Sequence, residues 1–159
     1  MPEEAINPLA TYRFTGFKPW MGVPVSIAIG PPRWMPGIDK IRALAPYGVK
    51  DIPDDDDFRV AYAARLDEHE DEIQRELLRL SKKWPGQRLV LMCWEDLTKP
   101  DVEMCHRTEA AIWLRKRGLT IEEIDVSDAP PSAAPRRTLP NGRLAPPPAP
   151  PAPEEPTLF

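Results

Sequence analysis

The distribution of apolar residues along the chain predicts two strands that are buried on both faces. Leu89–Trp94 opens with four consecutive apolar residues, and Val23–Gly30 is nearly continuous in the same way. Runs without alternation are typical of strands in a parallel sheet. Thr11–Phe17, with β-branched and aromatic residues, predicts a short strand at an edge, and Leu119–Asp125 predicts the last strand.

Other segments have the spacing of amphipathic helices. Ile38–Leu44 predicts a short helix, and Phe58–Lys83 predicts one long helix with apolar residues on one stripe. The acidic run Asp54–Asp57 precedes the long helix; it lacks the glycine and the terminal glutamate of a calcium loop and is interpreted as a helix cap. Glu103–Arg117 predicts a further helix, which ends at Gly118.

Strands that alternate with helical crossovers favour a three-layer α/β fold with a small, mostly parallel sheet. Right-handed crossovers are expected to place helices on both faces. We assign residues 1–128 to a single α/β domain. The chain contains neither a glycine-rich phosphate loop nor a dinucleotide fingerprint.

Proline is the one unusual feature of the composition. The chain has 22 prolines, and half of them follow Asp128. A segment so rich in proline and so poor in apolar surface does not build a core, so residues 129–159 are expected to form a disordered, proline-rich tail. The tail either solubilises the protein or docks to a proline-recognising partner.

The net charge of −4 argues against broad binding to nucleic acid or to anionic membranes. The sequence has no run long enough to cross a membrane and no signal-peptide pattern, so we expect a cytoplasmic protein. In that compartment its two cysteines are more often free thiols, ligands or catalytic groups than a structural disulfide.

Chemically versatile residues cluster around one predicted strand end and the helix that follows it. Cys93 and Glu95 end the central strand, and Cys105, His106 and Arg107 lie in the first turn of the next helix. In open α/β sheets, ligands bind beyond the carboxyl ends of strands, near helix N-termini. These side chains are therefore expected to converge on one crevice.

Each of these residues also has a structural interpretation. Cys93 follows an apolar run and packing alone explains it, whereas a helix N-terminus and neighbouring cations favour a thiolate at Cys105. Glu95 is either a general acid, base or nucleophile, or a salt-bridge partner of Arg107 or Arg33. Arg107 is poorly placed for the helix dipole, which indicates that it holds a carboxylate or a phosphate.

A proline-flanked loop follows the first buried strand and carries Arg33 and Trp34. If the two buried strands are parallel, this loop lies at the same sheet edge as Cys93 and Glu95. Trp94 separates these last two residues in the sequence. Arginine side chains at such an edge can bind phosphate, and tryptophan rings can stack on a base.

The motifs Cys93-Trp94-Glu95 and Cys105-His106-Arg107 resemble those of the uncharacterised proteins catalogued as domain of unknown function 488. Weaker similarities are Pro32-Arg33-Trp34 and Leu44-Ala45-Pro46, together with Tyr62 and Leu66 on the long helix. The resemblance spans about Val23 to Asp125 and implies a Rossmann-like α/β domain with a site at these residues. It implies no established reaction. Trp94 within the first motif and the proline-rich tail depart from the family pattern.

Three functional hypotheses follow. The first is an enzyme acting on a nucleotide, a nucleoside or a nucleobase in nucleic acid, with Glu95 as the catalytic carboxylate. The second is a thiol or metal site built from Cys93, Cys105 and His106 with Glu95, although the spacing of a structural zinc site is missing. The third is a non-catalytic module that binds a small anionic ligand or a protein.

The first hypothesis is preferred, and it gives a specific set of site residues. No cofactor and no metal ligand is assigned. The candidate catalytic residues are Glu95, Cys93 and His106, and the candidate substrate-binding residues are Arg33, Trp34, Trp94, Cys105 and Arg107.

Overall fold

The computed structural model describes residues 5–94 and 105–128. The chain divides into two compact units, residues 1–124 and 125–159. The sheet, the helices and the candidate site all belong to the first unit. In the described part of the second, Val126–Asp128 forms a short 3-10 helix, and the Asp125 carboxylate accepts a hydrogen bond from the Ser127 N–H. That hydrogen bond lowers the pKa of Asp125. The tail predicted over residues 129–159 lies outside the described residues.

The first unit contains a sheet of five strands, all parallel to their neighbours, in the order β3-β2-β4-β1-β5. An α/β fold with a small parallel sheet is thereby confirmed, as is the parallel pairing of the buried strands. The strands are β1 Leu9–Arg13, β2 Val23–Ser26, β3 Asp39–Lys40, β4 Leu89–Cys93 and β5 Ile121–Glu123.

The first strand is shifted from its predicted position and lies inside the sheet. β1 begins at Leu9 and pairs with β4 on one side and β5 on the other. The prediction of an edge strand over Thr11–Phe17 was wrong, because propensity identifies a strand but not its neighbours. The short helix predicted over Ile38–Leu44 was also wrong: β3 pairs with β2, and only Arg42–Leu44 forms a 3-10 helix.

Three α-helices are described: α1 Asp55–Glu68, α2 Glu70–Lys83 and α3 His106–Arg115. The single helix predicted over Phe58–Lys83 is two helices that meet at His69, where the backbone leaves the helical region. Neither glycine nor proline marks this break in the sequence. The predicted cap is confirmed, since the Asp54 side chain accepts a hydrogen bond from the Asp57 N–H at 2.9 Å.

All three helices pack on one face of the sheet. Their buried residues share a cluster with alternate residues of the strands, such as Val25 on β2 and Leu91 on β4. The opposite face, represented by Val90 and Met92, packs against Met21 and other residues of the segments that lead into β2 and β3. Among the described residues, that third layer therefore contains loops and a 3-10 helix in place of the expected α-helices.

The strand order explains this one-sided arrangement. Both helical crossovers, β3 to β4 through α1 and α2 and β4 to β5 through α3, advance across the sheet in the same direction. Right-handed crossovers in one direction place their helices on the same face. The connections β1 to β2 and β2 to β3 run in the opposite direction and are expected on the other face, where their buried residues Phe14, Met21 and Ala28 lie.

The start of β2 requires a glycine. Gly22 has a φ of 132°, and a Cβ there would lie 2.3 Å from the carbonyl oxygen of Arg88. That oxygen accepts a hydrogen bond from the Val23 N–H at 2.8 Å, which begins the pairing of β2 with β4. Pro24 is the second residue of β2, close to the strand start, where a proline is tolerated.

Among the described residues, none of the helices is long and apolar enough to cross a membrane.

Candidate functional site

The end of β4 and the start of α3 bring the two cysteines together. Cys93 is the last residue of β4, and Cys105 is the N-cap of α3. Their sulfur atoms are 2.6 Å apart, and both residues are buried. The Cys105 sulfur also accepts a hydrogen bond from the backbone N–H of Arg107 at 3.4 Å. The predicted convergence of these two thiols is therefore found.

The side chain of Arg107 is fully buried next to the two thiols. Its Nη1 donates to the Cys93 sulfur at 3.0 Å and lies 3.5 Å from the Cys105 sulfur. The other side of the guanidinium binds both carboxylate oxygens of Glu123, with Nε to Oε1 at 2.9 Å and Nη2 to Oε2 at 2.8 Å. This two-pronged geometry is the strong form of an arginine–carboxylate pair.

The environment keeps the guanidinium charged. Burial by itself lowers the pKa of Arg107, but the hydrogen bonds to Glu123 and the attraction of the two cysteine sulfurs outweigh it, so the pKa is raised above its usual value. Arg107 therefore supplies a permanent positive charge in the interior, balanced by Glu123 and directed at sulfur. Arg107 is fully buried and is hydrogen-bonded to Glu123 and Cys93. It is therefore placed to position the two thiols rather than to contact a ligand from solvent.

His106 links α3 to the end of β2. Its Nε2 is 2.7 Å from the carbonyl oxygen of Ile27, and its ring lies edge-on to the ring of Tyr62 at 6.0 Å. The Tyr62 hydroxyl is itself buried, which raises its pKa well above the usual value, and it donates to the Leu44 carbonyl. These contacts fix the orientation of the imidazole.

A sulfur from Cys93, a sulfur from Cys105 and a ring nitrogen of His106 all lie within 4.8 Å of one another. Two thiols and an imidazole are ligands that zinc accepts. Within residues 5–94 and 105–128, however, no fourth ligand joins this group. The buried cation of Arg107 also points at both sulfurs, and it would repel a metal ion there.

The second part of the candidate site is an exposed aromatic pair. Trp94 follows β4 and is 46% exposed, and Trp34 is 61% exposed. Their rings meet edge to face with centroids 5.6 Å apart. Trp94 is held in place by Phe14, at a centroid distance of 5.1 Å, and by a 2.8 Å hydrogen bond from its indole N–H to the Gly30 carbonyl. The loop after β2 and the end of β4 thus meet at one sheet edge, as predicted from parallel pairing.

The predictions for Arg33, for Glu95 and for the start of α3 remain to be compared with the structure. Arg33 precedes Trp34 and is exposed to solvent. Glu95, the predicted catalytic carboxylate, lies outside the described residues, and so does any pairing of it with Arg33 or Arg107. The described part of α3 begins at His106, with Cys105 as its cap, whereas the sequence predicted a start at Glu103.

Sequence reasoning missed the acidic partner of Arg107. Glu123 is the last residue of β5, in register with Thr11 of β1, whose hydroxyl donates to Glu123 Oε1 at 2.8 Å. A buried arginine requires a carboxylate, and that rule was the only available signal. It did not select Glu123 from the other acidic residues, because the strand order that brings β5 beside β1 is a property of the tertiary fold.

Comparisons with known proteins add no identification: no protein-family model matches the chain, and neither the curated proteins nor the solved structures give a significant match. The resemblance to the domain of unknown function 488 family therefore stays a prediction.

Proposed function

We propose that the protein is an enzyme that acts on a nucleotide, a nucleoside or a nucleobase in nucleic acid, with Glu95 as its catalytic carboxylate. The observation that supports this proposal is the exposed pair Trp34 and Trp94 at the carboxyl edge of the sheet. Large aromatic rings are usually buried, and an exposed pair at a strand end is typical of a surface that stacks on a flat ligand.

The pair is suited to binding because one ring is held rigidly. Trp94 contacts Phe14 and Trp34 and donates its indole N–H to the Gly30 carbonyl, so little side-chain entropy is lost when a base stacks on it. Arg33, exposed beside Trp34, is the cation available for a phosphate. Glu95 follows Trp94 directly in the sequence, where it can serve as nucleophile or as general acid or base.

In this proposal the buried residues support the site. Arg107 and His106 position the start of α3 through Glu123 and the Ile27 carbonyl, and the thiols of Cys93 and Cys105 lie between the two elements. The proposal also places the protein in the cytoplasm and assigns no cofactor. A protein partner for the proline-rich tail is a separate proposal, based on composition alone.

The alternative is a non-catalytic module that binds a small anionic ligand or a protein through the same surface. Purified protein is incubated with adenosine, AMP and a short single-stranded oligonucleotide, and binding is measured by calorimetry while products are separated by chromatography. The enzyme proposal expects turnover that Glu95→Gln abolishes with binding retained. Binding without turnover in both proteins would favour the module.

The contribution of the aromatic pair is measured separately. Trp34→Ala should weaken binding by about tenfold, since one base–aromatic stack contributes about 1–3 kcal/mol. Val60→Ala is the matched control, because Val60 is an apolar residue of α1 that is 72% exposed and lies on a different element. If Trp34→Ala and Val60→Ala bind all three probes as the wild type does, the proposed surface is wrong.

A further inference from the structure

Cys93 and Cys105 have the placement of a pair that can be joined covalently. They are twelve positions apart in the sequence and sit on two different elements, yet their sulfur atoms are 2.6 Å apart. That distance is shorter than ordinary van der Waals contact between two sulfur atoms. Since an S–S bond is about 2.05 Å long, the two sulfur atoms need to approach by only about 0.6 Å to form one.

A buried cation and a helix N-terminus lie against the two sulfur atoms, and reactive cysteines are typically found in electropositive surroundings of this kind. The Arg107 guanidinium donates to Cys93 at 3.0 Å and approaches Cys105 at 3.5 Å. The Cys105 sulfur also accepts the Arg107 backbone N–H at the N-terminus of α3, where the helix dipole is positive. A purely structural pair of buried thiols does not need a buried cation directed at it.

The same geometry disfavours a metal as the occupant of this cluster. With zinc–sulfur bonds of about 2.3 Å in a tetrahedral site, two cysteine ligands lie about 3.8 Å apart. The observed separation is 2.6 Å, and a guanidinium points at both sulfurs. A metal would have to push the sulfurs apart and displace a cation that Glu123 holds with two hydrogen bonds.

We propose that Cys93 and Cys105 are a redox-active dithiol that forms a reversible intrachain disulfide, with a hydroperoxide as the oxidant. One thiolate attacks a peroxide oxygen, giving a sulfenic acid and, for hydrogen peroxide, one water once the leaving hydroxide is protonated. The second thiolate then attacks the sulfenic sulfur, forms the S–S bond and displaces hydroxide, which is protonated to give a second water. The two thiols lose two electrons, hydrogen peroxide gains them, and both thiol protons end in water.

The disulfide would join the end of β4 to the start of α3. It closes the connection between the two cysteines into a covalent ring. Arg107 keeps its pair with Glu123, so the ion pair persists in both redox states. This inference does not depend on the proposed nucleotide chemistry, because its measurements are made on the protein alone.

The first test uses the full chain, reduced with dithiothreitol and then treated with a small excess of hydrogen peroxide. Intact mass should fall by two hydrogen atoms, alkylation in denaturant should find no free thiol, and dithiothreitol should restore both. The Tm of the oxidised protein should exceed that of the reduced protein by about 5–10 °C, as expected for a short closed loop. Cys105→Ala should lose both the mass change and the Tm change.

A second measurement distinguishes two thiols that the fold holds together from two thiols that oxidise by chance encounter. The folded and the urea-unfolded chain are equilibrated in buffers that differ in the ratio of reduced to oxidised glutathione. The folded chain should keep its disulfide up to a ratio at least about tenfold higher than the unfolded chain does. An equal ratio for the two forms would overturn the proposal. It would also fail if both thiols stay alkylatable after peroxide, if oxygen atoms add with no S–S bond, or if purified protein carries stoichiometric zinc that Cys105→Ala releases.

Discussion

The ion pair between the buried Arg107 and the partly exposed Glu123 makes a quantitative prediction about stability. Replacing Glu123 with glutamine keeps the size and shape of the side chain but removes its negative charge. The guanidinium of Arg107, fully buried, would then face a neutral amide on one side and the cysteine sulfurs on the other. An amide has a single acceptor oxygen, so one of the two guanidinium hydrogen bonds to this position would also be lost.

The expected size of the effect lies between two limits. Removing one partner of a fully buried ion pair costs about 3–5 kcal/mol, whereas an exposed pair contributes about 0–1 kcal/mol. The Glu123 side chain is 36% exposed while that of Arg107 is not exposed at all, so solvent replaces only part of the lost interaction. We therefore expect Glu123→Gln to lower the free energy of unfolding by about 2 kcal/mol.

Urea denaturation followed by circular dichroism measures this difference. Glu122→Gln is the matched control, since Glu122 is the adjacent residue of β5 and is exposed, and it should change stability by less than about 0.5 kcal/mol. A double-mutant cycle with Arg107→Met then isolates the coupling between the two side chains. Equal effects of Glu123→Gln and Glu122→Gln, or a cycle without coupling energy, would refute the view that this pair stabilises the fold.

Three further predictions concern the backbone, a helix cap and the tail. Gly22→Ala should destabilise the protein by more than about 2 kcal/mol in urea denaturation, because the added Cβ would overlap the Arg88 carbonyl. Gly37→Ala is the control: Gly37 also has a positive φ but lies in open space, so this substitution should cost only about 1 kcal/mol. Asp54→Ala should cost about 1 kcal/mol by the same assay, and an exposed acidic neighbour replaced in the same way should cost less. Deleting residues 129–159 should leave Tm nearly unchanged in calorimetry, and a shift of more than a few degrees would show that the tail contributes to the fold.

Local patterns in the sequence determined the class of fold and several element ends. The apolar run at Leu89 identified β4, and the acidic residues before α1 identified its cap at Asp54. Because helical crossovers join the buried strands, parallel pairing also followed, and it placed Trp34 near Trp94 at one edge. These features depend on residues close in sequence or on chain connectivity, and both can be read without coordinates.

Other features depended on which strands become neighbours, and only the tertiary structure decided them. The insertion of β1 between β4 and β5 brings Glu123 and Thr11 together, and with them the partner of Arg107. No local signal distinguishes an interior strand from an edge strand of similar composition, because the difference arises from pairing with distant segments. The same pairing places every described α-helix on one face, since the direction of each crossover depends on strand order.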